Sequence, residues 1–248
     1  RTIPLPSTPA MAERMSSLGY STGHFGKWHV ATPPEDAGFS TVLLGVNEPT
    51  RAEVSIRLAT EARNWLRNTP GDVFLSLALP SPHLPTTPTR AANIVACDIA
   101  VELILGEMDL DDQLFFFSDN GGNEEIPGVS NFPYRDGKAS LYEGVTRTLA
   151  FVWPRPDGKS KVWNRIFPCW HVADWCELVA GGIDQHTAFG NGPEWLRWGV
   201  GDTRVCALNK RGWKIIGTHL KTNNPRWEFY RVTRDPSQTD NMLADGVL

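Results

Sequence analysis

Gly23-His24-Phe25-Gly26-Lys27-Trp28-His29 and Leu114-Phe115-Phe116-Phe117-Ser118-Asp119-Asn120-Gly121-Gly122 are the stretches that decide the fold of this 248-residue chain. Each sets charged or metal-capable side chains beside glycines at the edge of an apolar run. In open α/β sheets, ligands bind just beyond the carboxyl ends of the strands. An Asp-Asn pair at such an edge offers two hard oxygen ligands of the type Ca²⁺ or Mg²⁺ prefers. The plainer alternative for Asp119-Asn120-Gly121 is an Asx turn that closes a strand.

Strands and helices alternate around these stretches. Thr8 followed by Pro9 predicts a helix start, Met11, Met15 and Leu18 recur at helical spacing, and Gly19 stops the run. Tyr20 to Phe25 reads as a short strand, and residues 31–49 as loop. Thr50 with Glu53 forms a capping box that opens a helix with Val54, Leu58 and Trp65 on one face. Val73 to Leu79 reads as a buried strand, residues 92–105 as an apolar helix and Leu114 to Phe117 as a buried strand. A strand over 148–153 and a helix over 168–180 follow. This alternation predicts an α/β fold with a mostly parallel sheet flanked by helices. The domain expected over 1–190 is of this kind. Over 191–248 the pattern changes: Arg204–Leu208, Gly212–Ile216 and Trp227–Val232 read as strands of a small antiparallel subdomain, closed by a helix near 237–244.

Composition narrows the function classes. Hydrophobic residues make up 41% and charged residues 21%, which fits a globular domain. The net charge of −4 gives no nucleic-acid footprint. No run approaches the roughly 18 apolar residues of a membrane span. The four cysteines, Cys97, Cys169, Cys176 and Cys206, lack C-x-x-C spacing and read as buried free thiols. Cys169 and Cys176 could share a helical face. The ten tryptophans read first as core.

The run Gly19-Tyr20-Ser21-Thr22-Gly23-His24-Phe25-Gly26-Lys27-Trp28-His29 resembles a signature of the sulfatase family in the alkaline phosphatase superfamily. So do Leu77-Ala78-Leu79-Pro80-Ser81-Pro82-His83-Leu84-Pro85, Ser118-Asp119-Asn120-Gly121-Gly122 and Asn131 through Gly144. Arg231-Val232-Thr233-Arg234-Asp235-Pro236 and Asn241-Met242-Leu243-Ala244 resemble the family's closing segment. Sulfatases also carry a Cys- or Ser-x-Pro-Ser-Arg motif, whose first residue becomes formylglycine, and two further metal-binding aspartates. These 248 residues contain no such motif. The resemblance therefore implies an N-terminally truncated and internally shortened sulfatase. The family is typically periplasmic, secreted or lysosomal, but the sequence shows no signal-peptide pattern and assigns no compartment.

The resemblance implies roles for six residues. Lys27 and Lys138 would grip sulfate oxygens. A buried lysine needs an anion, whereas the plain alternative for each is a surface lysine. His29 would hydrogen-bond the formylglycine diol and act as a base in sulfate release, and His83 would protonate the leaving oxygen. The ordinary histidine pKa of about 6.5 suits either task. Asp119 and Asn120 would bind a metal, by resemblance Ca²⁺. His24, His171, His186 and His219 read as structural. The family has Glu-Gly-Gly where this chain has Glu143-Gly144-Val145, so a positive φ at Val145 would be strained.

The implied function is a sulfuric ester hydrolase acting on a sulfated sugar or aryl sulfate. The implied partner is a sulfated small molecule or glycan. The alternative is a non-catalytic anion-binding remnant or an inactive fragment of a sulfatase. A phosphatase or phosphodiesterase of the same superfamily would use more Asp and His metal ligands than this chain offers.

Overall fold

The computed structural model describes residues 9–85, 89–153, 171–181 and 194–243. The chain forms two compact units. The first comprises residues 1–112 and 170–190, the second 113–169 and 191–248.

The first unit is built on three parallel strands, β1 (Ser21–Gly26), β2 (Thr41–Leu43) and β3 (Val73–Ala78), in the order β2-β1-β3. β1 is buried from Thr22 to Gly26, as befits a central strand covered on both faces. Its neighbours alternate between the faces. Phe74 joins Ala12, Met15 and Phe39 in one cluster, which includes Cys176 from helix α5 (His171–Val179). Phe25, Leu75 and Leu77 point the other way, into a cluster with Ala62, Trp65 and Ile104. The first face is covered by α1 (Met11–Ser17), the second by α2 (Arg51–Asn68) and α3 (Arg90–Leu105).

Local signals explain these elements. Thr50 accepts from the Glu53 amide while the Glu53 carboxylate accepts from the Thr50 amide, so the expected capping box starts α2. α1 starts later than expected: Ala10 is its N-cap, and its amide donates to the Glu13 carboxylate. Thr8 lies outside the described residues. β2, inside the stretch expected to be loop, exists because β1 offers it a parallel edge.

The second unit contains β4 (Leu114–Phe117), α4 (Glu143–Thr146), β5 (Ala150–Trp153) and the strands β6 (Trp195–Val200), β7 (Arg204–Asn209), β8 (Trp213–Thr218) and β9 (Arg226–Arg231). β6 to β9 form an antiparallel meander, one strand more than expected. β4 pairs antiparallel with β5 and is half-buried rather than buried. The helix expected near 237–244 is absent over the described part, 237–243, which forms turns. Gln238 stands there with φ 51° and its side chain fully buried, accepting from the Glu143 amide at 2.6 Å. The core of this unit joins Leu141 to Cys206, Leu208, Ile216, Tyr230 and Val232.

Cys97, Cys176 and Cys206 are thiols not joined in a disulfide, while Cys169 and His186 lie outside the described residues.

Candidate functional site

Lys27, His29 and His83 belong to the first unit, and Asp119, Asn120 and Lys138 to the second. All are exposed except Asn120, which is half-buried, so neither lysine is buried.

In the first unit, parallel pairing brings Gly26 of β1 opposite Ala78 of β3. The Lys27 amide extends that ladder by donating to the Ala78 carbonyl at 2.9 Å. Lys27 and His29 thus follow the carboxyl end of β1, and His83 follows that of the adjacent β3. Gly26 is what allows the approach. It sits at φ 109°, and a Cβ there would lie 2.1 Å from the Ala78 oxygen.

The His83 turn is held by Ser81, a residue that the sequence reading did not single out. Its hydroxyl lies 2.8 Å from Asn93 Oδ1 on α3 and 3.0 Å from the Arg51 carbonyl on α2. Its amide donates to Ser55 Oγ, and its carbonyl accepts from the Cys97 thiol. The His83 amide closes the turn onto the Pro80 carbonyl. His83 Nδ1 lies 2.9 Å from the Leu84 carbonyl, which can only accept, so Nδ1 carries the proton of the neutral ring.

His24 is 2% exposed, with Nδ1 3.0 Å from Ser76 Oγ and its ring edge-on to Trp28. Its Nε2 is buried without a hydrogen-bond partner among the described residues. Burial depresses its pKa below 6.5, against the raising effect of the nearby Lys27 and Gly26 backbone carbonyls. This geometry suits a structural histidine.

In the second unit, the segment after β4 lies backbone to backbone against the Lys138 segment. The Gly121 amide donates to the Val145 carbonyl, and the Lys138 amide to the Gly122 carbonyl, each at 3.0 Å. Asn131 links the two segments. Its Oδ1 accepts from the Gly122 amide, and its Nδ2 reaches the Gly122 and Asp136 carbonyls. A Cβ on Gly144 would fall 1.7 Å from the Asp136 oxygen, so glycine is required there by close approach. Val145, in contrast, lies within α4 and is absent from the positive-φ positions, so the strain expected there does not arise. The unusual backbone falls instead at Asp136 (φ 60°) and Ala139 (φ 75°), on either side of Lys138.

The base of the Lys138 loop is clamped to the antiparallel sheet. Arg135 donates to the Tyr230 hydroxyl at 3.0 Å and lies 3.9 Å over the Tyr142 ring. Burial, then the hydrogen bond to Glu228, push the Tyr142 phenol up to about 12. The buried Lys214 ammonium meets Glu143 Oε1 at 2.8 Å, and Arg147 takes Glu143 Oε2 at 3.1 Å. Leu141 packs in the sheet core with Ile216 and Tyr230.

Asp119 and Asn120 follow β4. Ser118 Oγ donates to the Asn120 carbonyl, and Asn120 Nδ2 to the Gly121 carbonyl, so the pair also serves its own turn. Among the described residues, no three His, Cys, Asp or Glu side chains come together as a metal site. Ca²⁺ takes about six to eight oxygens, and two side chains fall well short of that set. Among the described residues, the donor set therefore does not by itself fit a resident Ca²⁺.

No protein-family model and no curated protein matches the sequence. Solved structures do match by shape. Ps i-CgsB, solved in complex with k-i-k-neocarrahexaose, superposes with a TM-score of 0.75 at 19% identity, over 99% of this chain and 74% of that one. A protein solved with its substrate D-glucosamine-2-N,6-O-disulfate gives 0.72 at 11% identity, over 99% of this chain and 79% of that one. A 2-O glycosaminoglycan sulfatase gives 0.67 at 15% identity, over 98% of this chain and 72% of that one. The chain has a sulfatase-like α/β fold.

Proposed function

We propose that this chain recognises the sulfate esters of sugars in the manner of a sulfatase, a sulfuric ester hydrolase. The observation that carries the reading is the pairing of β1 with β3, from whose adjacent carboxyl ends Lys27 and His83 follow. Sulfate-ester cleavage needs cations on the sulfuryl oxygens and a proton for the leaving oxygen. Lys27 and Lys138 would bind the sulfuryl oxygens. His83, as imidazolium, would give its Nε2 proton to the departing sugar oxygen, and His29 would act as base in sulfate release. A neighbour of the same fold was solved with its substrate D-glucosamine-2-N,6-O-disulfate, which supports a sulfated sugar or glycan as partner.

The family's covalent step needs formylglycine, and these 248 residues include no Cys- or Ser-x-Pro-Ser-Arg motif to supply it. That favours a second reading, a non-catalytic anion-binding domain. Turnover of a chromogenic aryl sulfate by the full chain with Ca²⁺, beside His83→Ala, separates the two. Turnover abolished by His83→Ala supports the hydrolase. Sulfate-ester binding without turnover supports the anion-binding domain, and folded protein that binds no sulfate ester overturns both.

A further inference from the structure

Beside Lys27 in the first unit is a cleft of about 370 Å³, lined by Lys27, Trp28, Leu44, Val46, Arg51 and Val54, among others. Its lining holds two cations and no anion. Neither Lys27 nor Arg51 has an ion-pair partner among the described residues. Two other arginines of α2 differ: Arg57 pairs with Glu61 at 2.6 Å, and Arg67 with Glu107 at 2.6 Å. Arg51 is also held in place. It is the first residue of α2, next to the Thr50 capping box, and its carbonyl receives the Ser55 hydroxyl. The wall is rigid too, since Trp28 Nε1 donates to the Thr32 carbonyl at 2.8 Å and its ring meets His24 and Phe39.

We propose that Arg51 binds a second anionic group of the substrate, so that this cleft selects sugars carrying a sulfate and a further sulfate or carboxylate. The inference rests on the sulfate-ester reading of Lys27. That reading places Lys27 on the ester sulfate and gives Arg51, in the same cleft but on a different element, no part in it. A guanidinium presents a planar fork of donors that matches two oxygens of a sulfate or carboxylate. The apolar side chains of Leu44, Val46 and Val54 fit the C–H faces of a sugar ring between the two charges. The position of Arg51 on α2, rather than in a signature motif, makes it a specificity residue and not a catalytic one.

The test is calorimetric titration of the full chain with N-acetylglucosamine 6-sulfate, whose nitrogen is uncharged, and glucosamine 2-N,6-O-disulfate. The disulfated sugar should bind about tenfold more tightly, as one charge-assisted contact predicts. Arg51→Met should bring that ratio to about one while changing the affinity for the monosulfate by less than about twofold, and Arg51→Lys should keep part of the preference. Circular dichroism of each variant checks that α2 is intact. A ratio near one in the wild type, or one that Arg51→Met leaves unchanged, overturns the role of Arg51. Lys27→Met reports separately on the parent reading: if it weakens both sugars, that reading stands whatever Arg51 does. If neither sugar binds the wild type, both inferences fall.

Discussion

Lys214 Nζ lies 2.8 Å from Glu143 Oε1, the lysine side chain fully buried and the carboxylate side chain 5% exposed. The pair joins β8 to the residue that ends the Lys138 segment. Thr146 Oγ1, 3.3 Å from the same ammonium, and the Trp198 ring, 5.5 Å away, complete its surroundings. A buried charge is costly unless paired, so the ammonium depends on Glu143, whose other oxygen is held by Arg147.

Lys214→Met should therefore destabilise the protein by about 1–3 kcal/mol, because it removes the ammonium from Glu143 Oε1 while Arg147 still holds Oε2. Adding Glu143→Leu should recover part of that loss. Urea unfolding of the wild type and both variants, followed by tryptophan fluorescence, checks the order.

Ser81→Ala removes the hydroxyl that Asn93 Oδ1 and the Arg51 carbonyl share. The expected cost is about 1–3 kcal/mol, the usual penalty for a buried polar group left without its partner. Because the His83 turn hangs on this residue, the His83 ring resonances should also shift in an NMR spectrum. A variant with native stability and unmoved His83 resonances would show that Ser81 does not hold the turn.

Gly26→Ala should be among the most damaging single-methyl additions in the first unit. The new Cβ meets the Ala78 oxygen at 2.1 Å, at a φ of 109° that side chains rarely adopt. A loss of about 3 kcal/mol is expected. Thermal unfolding measures it, and Gly19→Ala provides a control with positive φ but open space around the site.

His24 gives a pH dependence of known sign. Its folded pKa lies below the ordinary 6.5, through burial, so the unfolded chain binds more protons in mild acid. Its contribution is present above pH 6.5 and is lost as the pH falls below that value towards the folded pKa. Stability measured from pH 8 down to pH 5 should fall less steeply in His24→Phe than in the wild type. Equal slopes would remove His24 from the account.

The Cys206 thiol is pushed up to about 12 by burial, against the lowering effect of Lys214. It should resist iodoacetamide at pH 8 in the native protein and react once urea unfolds the chain. Peptide mapping by mass spectrometry distinguishes it from the other cysteines.

The sequence revealed the parallel unit because its signals are local. The Thr50–Glu53 box and the apolar strand ending in Gly26 need only neighbouring residues. Leu114–Phe117 and the strand expected over 148–153 were equally readable as strands, but their antiparallel pairing with each other was not, since pairing depends on residues far along the chain. The same limit hid the supports of the candidate site. Ser81, Asn131, Lys214 and Gln238 look ordinary in sequence, and their importance comes from contacts with carbonyls, amides and carboxylates elsewhere. Gln238 shows this best: a polar residue in a stretch that read as helix proves to be a buried acceptor in a turn.

The first unit is not continuous in sequence. Arg14 of α1 reaches Asp174 of α5 at 3.8 Å, and Cys176 packs beside Met15 and Phe39. A ribosome making this chain would release β1, β2, β3 and α2 long before α5 emerges, so one face of the parallel sheet must wait, partly bare, for its last cover. Contacts so distant in sequence are closed late and slowly. Nascent chains stopped before residue 170 should therefore need a chaperone more than the finished protein does.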